Sequence, residues 1–297
     1  MNFFATVGKK GVVLLEKPSL VLEGGTFRPI FSSGAMDALL DHDVTFPYCV
    51  GVSAGISDGV SYLSKQRGRN LEIVRRFRND PRYIGVRNFF TCKSLFGLDF
   101  VFREIPQKWI PFDYETFRSY EGTCLVGVTN ARTGKTEYFH GQEDGEQFQF
   151  LRATCAIPLF FPAIPIGEEW YYDGGLTDPI PVRKAIADGC KRHLIILTQP
   201  KGYEKRLGRE NIFAAKRMHR RFPAIEQALL VRHLLYNETV AFCEKLEQEG
   251  KAVLLRPSHP LDSFEKSVLV LEQTWQEGYD AACTRMEEIR SLFQEPS

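Results

Sequence analysis

YCVGVSAGISDGVSYL, residues 48–63, is an apolar run that hands over at Ser53 to an amphipathic stretch, and its centre, residues 51–55, spells G-x-S-x-G. This is the pattern of a strand turning sharply into a helix. Such a turn holds the serine in strained backbone geometry, which small neighbours such as Gly51, Ala54 and Gly55 permit, and stands its hydroxyl at a helix N-terminus. There the helix dipole and free backbone N–H groups favour a developing oxyanion. By composition the bare pentapeptide arises by chance in about one in ten chains of this length. It therefore acquires meaning only with partners.

Upstream, SLVLEGGTFRPIFSSGAMDALL (residues 19–40) is an apolar run ending in Glu23-Gly24-Gly25-Thr26, followed by an amphipathic stretch. Acyl transfer needs donors aimed at a carbonyl oxygen as it becomes negative, and a glycine turn beside Arg28 offers N–H groups and a positive charge. The same glycines also fit a plain strand-to-helix turn or a phosphate-binding loop. No Walker-type lysine follows and the G-x-G-x-x-G spacing is absent, so nucleotide binding has little support. Downstream, GEEWYYDGGLTDPIPV (residues 167–182) carries aromatic residues into Asp173-Gly174-Gly175 and then a proline-punctuated loop. A carboxylate at that strand end can take the proton of a serine hydroxyl held within hydrogen-bond reach. It can equally cap a turn.

Taken in order, LVLEGGTFRPIFSSGAMDALL, GVSAG, RATCAIPLFFPAI (residues 152–164) and YYDGGLTDPIPV resemble the patatin-like phospholipase family, in its bacterial branch, over at least residues 20–200. The resemblance implies a three-layer α/β fold, a central mixed, mainly parallel sheet flanked by helices. It implies a serine–aspartate pair without histidine, which maps to Ser53 and Asp173. It also implies an oxyanion hole at Gly24, Gly25 and Thr26, with Arg28 nearby. Two departures stand out: Thr26 replaces a third glycine, and Arg28-Pro29 replaces an arginine–glycine pair. Proline removes a backbone donor, and threonine takes up positive φ less readily than glycine. One lost oxyanion donor costs about 3 kcal/mol of transition-state stabilisation.

The chain of 297 residues, 43% hydrophobic, is long enough for one large core, and the expectation is a single domain over residues 1–297. Its core would span about 18–200, with a C-terminal strand and helices over 201–297. A net charge of +1 gives no general argument for nucleic-acid binding. Cys49, Cys92, Cys124, Cys155, Cys190, Cys243 and Cys283 show no CxxC pair, which points to free thiols in a reducing compartment. The N-terminal MNFFATVGKKGVVLLEKPSL lacks a leader pattern, and no run of 18 apolar residues occurs. A cytoplasmic protein that meets membranes only at their surface is the expectation.

SLVLEGG, YCVGVSA, TCLVGVTN, RHLIILTQ and AVLLRPS read as strands, with helices after Arg28, after Ser53, around 144–154, after Pro179 and over about 264–292. Residues 65–93 carry nine Lys/Arg against Glu72 and Asp80. The aromatic residues Tyr83, Phe89, Phe90, Phe96, Phe100, Phe102, Trp109, Phe112 and Tyr114 overlap and follow this stretch and suit either a cover over an acyl pocket or an ordinary core. Residues 201–221 hold eight Lys/Arg against Glu204 and Glu210, which suits an anionic lipid surface or a solvated helix face. Among the histidines that follow Asp173, only His259, in a loop after AVLLRPS, resembles a triad placement.

These readings converge on a serine acyl hydrolase, a carboxylic ester hydrolase in which Asp173 deprotonates Ser53. Ser53 attacks a lipid ester carbonyl, and water releases the acyl-enzyme. No metal, nucleotide or organic cofactor is implied, because nucleophile, base and oxyanion donors complete the chemistry. The substrate class, a fatty acyl ester of a phospholipid or related lipid, comes from the resemblance. A catalytically weak lipid-binding protein and an acyltransferase remain the alternatives.

Overall fold

The apolar runs before Glu23 and Ser53 become neighbouring parallel strands in the computed structural model, which describes residues 17–85, 87, 88, 90 and 94–294. Phe89, Cys92, Lys93 and the N-terminal stretch 1–16 lie outside the described residues. The chain runs β1 (Pro18–Leu22), α1 (Ile30–Asp41), β2 (Tyr48–Val52), α2 (Ser53–Leu63) and α3 (Arg69–Phe77), then a π-helical segment over Phe100–Trp109. After it come α4 (Tyr114–Arg118), β3 (Thr123–Asn130), β4 (Thr136–His140), α5 (Gln149–Thr154), β5 (Ile164–Ile166) and β6 (Glu169–Asp173). The rest is α6 (Val182–Ala187), β7 (Arg192–Ile196), α7 (Arg209–Met218), α8 (Pro223–Gln248), β8 (Ala252–Leu255), α9 (Val268–Thr284) and α10 (Met286–Ser291).

The 8 strands are linked by backbone pairing along the path β5-β6-β3-β2-β1-β7-β8, with β4 also paired to β3. β3, β2, β1, β7 and β8 are mutually parallel, while β4, β5 and β6 pair antiparallel. The mixed, mainly parallel α/β sheet expected from the sequence is the one observed. Every residue of β1 and β2 is buried, which is why both read as continuous apolar runs rather than alternating ones. Successive side chains of β1 serve opposite layers. Leu20 and Leu22 pack with Phe31, Leu39 and Ile56 of α1 and α2, whereas Val21 packs with Ile180, Tyr236, Cys243 and Leu246 beneath α8. Among the described residues no helix is long and apolar enough to cross a membrane.

All five expected strands are present. The helix expected around 144–154 is confined to α5, because Asp144 Oδ2 accepts from the backbone N–H groups of Phe150 and Leu151 and so anchors its start. The stretch over about 264–292 divides at Arg285 into α9 and α10. α3 and the 26-residue α8 were not foreseen as defined helices, whereas α7 falls within the basic stretch 201–221 for which a solvated helix face was one expectation.

Candidate active site

The pairing of β3 decides where the candidate side chains meet. β2 pairs with Thr123–Gly127 and β4 with Leu125–Thr129, so their shared span puts them on opposite edges of β3. β6 pairs with Val128–Asn130, overlaps β4, and therefore lies on the edge that β2 occupies. The two strands run toward each other and stop where Val52 stands opposite Gly127 and Asp173 opposite Val128. The next residue after Val52 is Ser53.

Ser53 begins α2 with φ 55°, a left-handed conformation that is strained for a residue with a β-carbon. Its backbone N–H donates to Thr154 Oγ1 at 2.8 Å, and the Thr154 hydroxyl donates to Gly127 O at 2.5 Å. The threonine thereby locks the turn to β3. Ser53 is 6% exposed and Asp173 4%. Asp173 accepts from Thr129 at its carbonyl oxygen, and its own N–H donates to Ala156 O at 2.9 Å. Its Oδ1 accepts the Gly175 N–H at 2.7 Å, so the capping role is real but uses only one carboxylate oxygen. Burial pushes the Asp173 carboxyl above the usual carboxylate range; the Arg232 guanidinium, the Ser53 hydroxyl, the Gly175 N–H and Lys205 pull it back.

The turn before α1 presses on Ser53 from the other side. A Cβ added to Gly24 would lie 2.6 Å from Ser53 Cβ and 3.4 Å from Ser53 Oγ, so only glycine permits this approach. The N–H groups of Gly24, Gly25 and Thr26 meet no acceptor among the described residues. Thr26 does adopt positive φ, at 59°, so the expected threonine handicap is met by strain rather than by a different turn. Pro29 occupies the N-cap of α1 with φ −61°, a place where a missing N–H removes no helical bond. Arg28 lies behind the turn. Its Nε donates to Thr198 Oγ1 at 3.1 Å, Nη1 to Ser263 Oγ, and Nη2 approaches Gly24 O at 3.5 Å and Glu23 Oε1 at 3.6 Å.

Beside Ser53 opens a mainly apolar cavity, lined by Thr26, Ile30, Val60, Ile73, Val101 and Ile157 among others. Tyr83, Phe96, Phe102 and Phe112 line it too, whereas Phe100 packs edge-on against Phe77 at 5.3 Å. Trp109 and Phe90 are exposed, at 41% and 87%. Polar side chains, among them Ser57, Asp58, Arg69 and Asn70, interrupt the apolar wall. Burial pushes Asp58 up to about 7, against a hydrogen bond from the Ser33 hydroxyl at 2.9 Å.

His259 lies elsewhere, in a cleft with Pro260, Leu261 and Asp262, hydrogen-bonded to Ser258 Oγ at 3.2 Å. Among the described residues no histidine bonds to Ser53 or Asp173, no cluster of side chains suits a metal ion, and the described cysteines are free. Sequence reasoning missed Arg232, Lys205 and Thr198 beside the site. None sits in a glycine-rich or motif-like context; a chain position far from the motifs carries no local signal.

Comparison with known proteins gives two family matches. A model described as "Patatin-like phospholipase" matches residues 20–186, and one described as "Domain of unknown function (DUF6363)" matches residues 222–294. The Escherichia coli (strain K12) protein YjjU, described as uncharacterized, is 27% identical over 188 residues, 61% of this chain and 52% of YjjU. The match thus spans about half of that relative's length. The crystal structure of VipD from Legionella pneumophila superposes with a TM-score of 0.46 at 14% identity, covering 93% of this chain and 67% of VipD.

Proposed function

The chain belongs to the patatin-like phospholipase family, and on that premise we propose that it is a lipid acyl hydrolase working through Ser53 and Asp173. Asp173 takes the proton of the Ser53 hydroxyl as Ser53 Oγ attacks an acyl ester carbonyl. The N–H groups of Gly24, Gly25 and Thr26, without acceptors of their own, receive the oxyanion, and Arg28 adds positive charge from behind the turn. Collapse expels the alcohol, which leaves with the proton held by Asp173. Water, deprotonated in turn by Asp173, then releases the fatty acid. The acyl chain would occupy the cavity beside Ser53. No metal, nucleotide or organic cofactor takes part in this scheme.

The observation that carries the reading is the meeting of β2 and β6 on one edge of β3, with the strained Ser53 at the junction. The test is fatty acid release from short- and long-chain esters, including a phospholipid, by the protein and its Ser53→Ala and Asp173→Asn variants. Loss of about 10³-fold or more in both variants is expected. Release undiminished in either variant overturns that residue's role.

The protein would work at the surface of an anionic membrane. The outward face of α7 supports this, with Phe213 63% exposed beside Ile212, Lys216 and Arg217. Co-sedimentation with anionic vesicles should fall on neutralising Lys216, Arg217, Arg220 and Arg221, by about 1 kcal/mol per residue engaged. Unchanged co-sedimentation would remove the membrane contact from the scheme. The helices over 201–297 are taken as part of the same hydrolase domain, since α8 and β8 complete the core beneath β1 and β7.

A further inference from the structure

We propose that Arg232, carried by α8, is a positioning residue for the Asp173 base, and that supplying it is what the segment over residues 222–294 contributes to catalysis. The inference rests on the Ser53–Asp173 reading and deepens it. Nothing in the motifs that carry the family resemblance contains this residue: the patatin-like match ends at residue 186, and Arg232 falls in the match of unknown function.

The geometry is a clamp on the turn that follows the aspartate. Arg232 Nε donates to Gly175 O at 2.6 Å, while the N–H of that same Gly175 donates to Asp173 Oδ1 at 2.7 Å. A Cβ built on Gly175 would lie 3.0 Å from Asp173 Oδ1 and 3.5 Å from Arg232 Nη2. Guanidinium and carboxylate thus flank one glycine, separated by no more than the sum of those distances. α8 delivers the arginine there because Ala228, Leu229 and Tyr236, on the same side of the helix, are buried against the core.

Charge makes the contact functional. Burial favours the protonated form of Asp173, and a protonated aspartate cannot accept the serine proton. Arg232 is the foremost of the groups that offset that burial. The others facing Asp173 are the Ser53 hydroxyl from α2, the Gly175 N–H, and Lys205 from the loop before α7. Cys155, after α5, also lies in its field; burial pushes that thiol up, so it stays neutral. Beyond Arg232 stand Arg28, Glu23 and Tyr236, and Glu23 is itself held by Thr198 N at 2.7 Å and Tyr236 Oη at 3.2 Å. Lys205, pushed down to about 7 by burial and by Arg232 and Arg28, is only partly charged at neutrality and is a poor substitute.

The test is the pH dependence of kcat/KM for a short acyl ester from about pH 5 to about pH 9 on the full chain, for Arg232→Gln, Arg232→Lys and Asp173→Asn. Thermal melting reports whether each variant folds. Removing the positive charge in Arg232→Gln should move the acid limb up by about one pH unit or more, so that activity near pH 6 falls about tenfold. Arg232→Lys should keep the limb near its original place while lowering kcat, because a lysine cannot hold the Gly175 carbonyl from the same geometry. A folded Arg232→Gln with an unmoved acid limb overturns the inference. If Arg232→Gln does not fold, an Arg232→Lys variant with unaltered kcat and limb overturns it equally. Inactive Asp173→Asn alongside either result means that this inference alone has failed; active Asp173→Asn means that the serine–aspartate reading has failed and takes this one with it.

Discussion

Ser53 and Asp173 face each other because the strands that carry them arrive from opposite ends of one edge of β3, Val52 pairing with Gly127 and Asp173 with Val128. Thr154 spans the junction, accepting from Ser53 N and donating to Gly127 O. Thr154→Val keeps the shape and leaves both backbone groups buried without partners, at about 1–3 kcal/mol for each. Urea denaturation should show a destabilisation of that order, and fluorophosphonate labelling of Ser53 should slow. Thr154→Ser, which keeps the hydroxyl, should restore both. Equal stability of the valine and threonine forms would mean that the junction does not depend on this side chain.

Gly24→Ala tests the other wall of the site. Its methyl group would enter within 2.6 Å of Ser53 Cβ, closer than such atoms approach without backbone movement. The oxyanion turn must retreat from Ser53, and a donor displaced there costs about 3 kcal/mol, or roughly 10²-fold in kcat. KM should change little, since the acyl cavity is lined largely by other residues. An alanine variant with full kcat would show that the turn is not where the oxyanion forms.

The cavity makes a separate claim about chain length. Val60 lies on α2 seven residues beyond Ser53, about 10 Å along the helix axis, and lines the cavity wall. Val60→Phe should block the far part of the cavity while leaving Ser53 accessible. Hydrolysis of long-chain esters should fall about tenfold, short-chain hydrolysis should persist, and the added bulk should destabilise the fold by about 1–3 kcal/mol. Equal losses on short and long esters would point to general damage and remove the cavity as the acyl site.

What the sequence made legible follows from where the information lies. β1, β2 and the Ser53 turn are local patterns, apolar runs ending in small residues, and all three were readable within a few positions. Asp173 was readable because β6 ends in a glycine turn. The encounter of β2 and β6 was not, because register on β3 is a long-range property that no short stretch encodes. α8 was passed over although Pro223 starts it and Ile225, Ala228, Leu229, Tyr236, Thr239, Cys243 and Leu246 recur at helical spacing. Its inward arginine broke the apolar stripe at the position nearest the site. Thr26 was readable as a departure from the family turn, but the strain it accepts, φ 59°, depends on the packing around it.

Asp58 places a pH response inside the acyl cavity. Burial raises its carboxyl to about 7, Asp37 adds to the rise, and the Ser33 hydroxyl and Arg69 oppose it. A carboxyl held above its unfolded value, about 3.9, binds its proton more tightly in the folded protein. Its contribution to stability is therefore complete below about pH 3.9 and is lost as pH rises through about 7. Asp58→Asn stays neutral throughout, so its stability relative to the natural protein should grow between about pH 4 and about pH 8, as measured by urea denaturation at several pH values. Activity should follow the same ionisation. Above pH 7 a carboxylate faces the apolar wall, and covering it with a long acyl chain becomes costly, so KM for long-chain esters should rise with pH in the natural protein and stay flat in Asp58→Asn. Short-chain esters, which need not reach a side chain five residues along α2 from Ser53, should show no such difference. Parallel KM profiles for the two proteins on long-chain esters would mean that Asp58 stays covered by Ser33 and Arg69 and never meets the substrate.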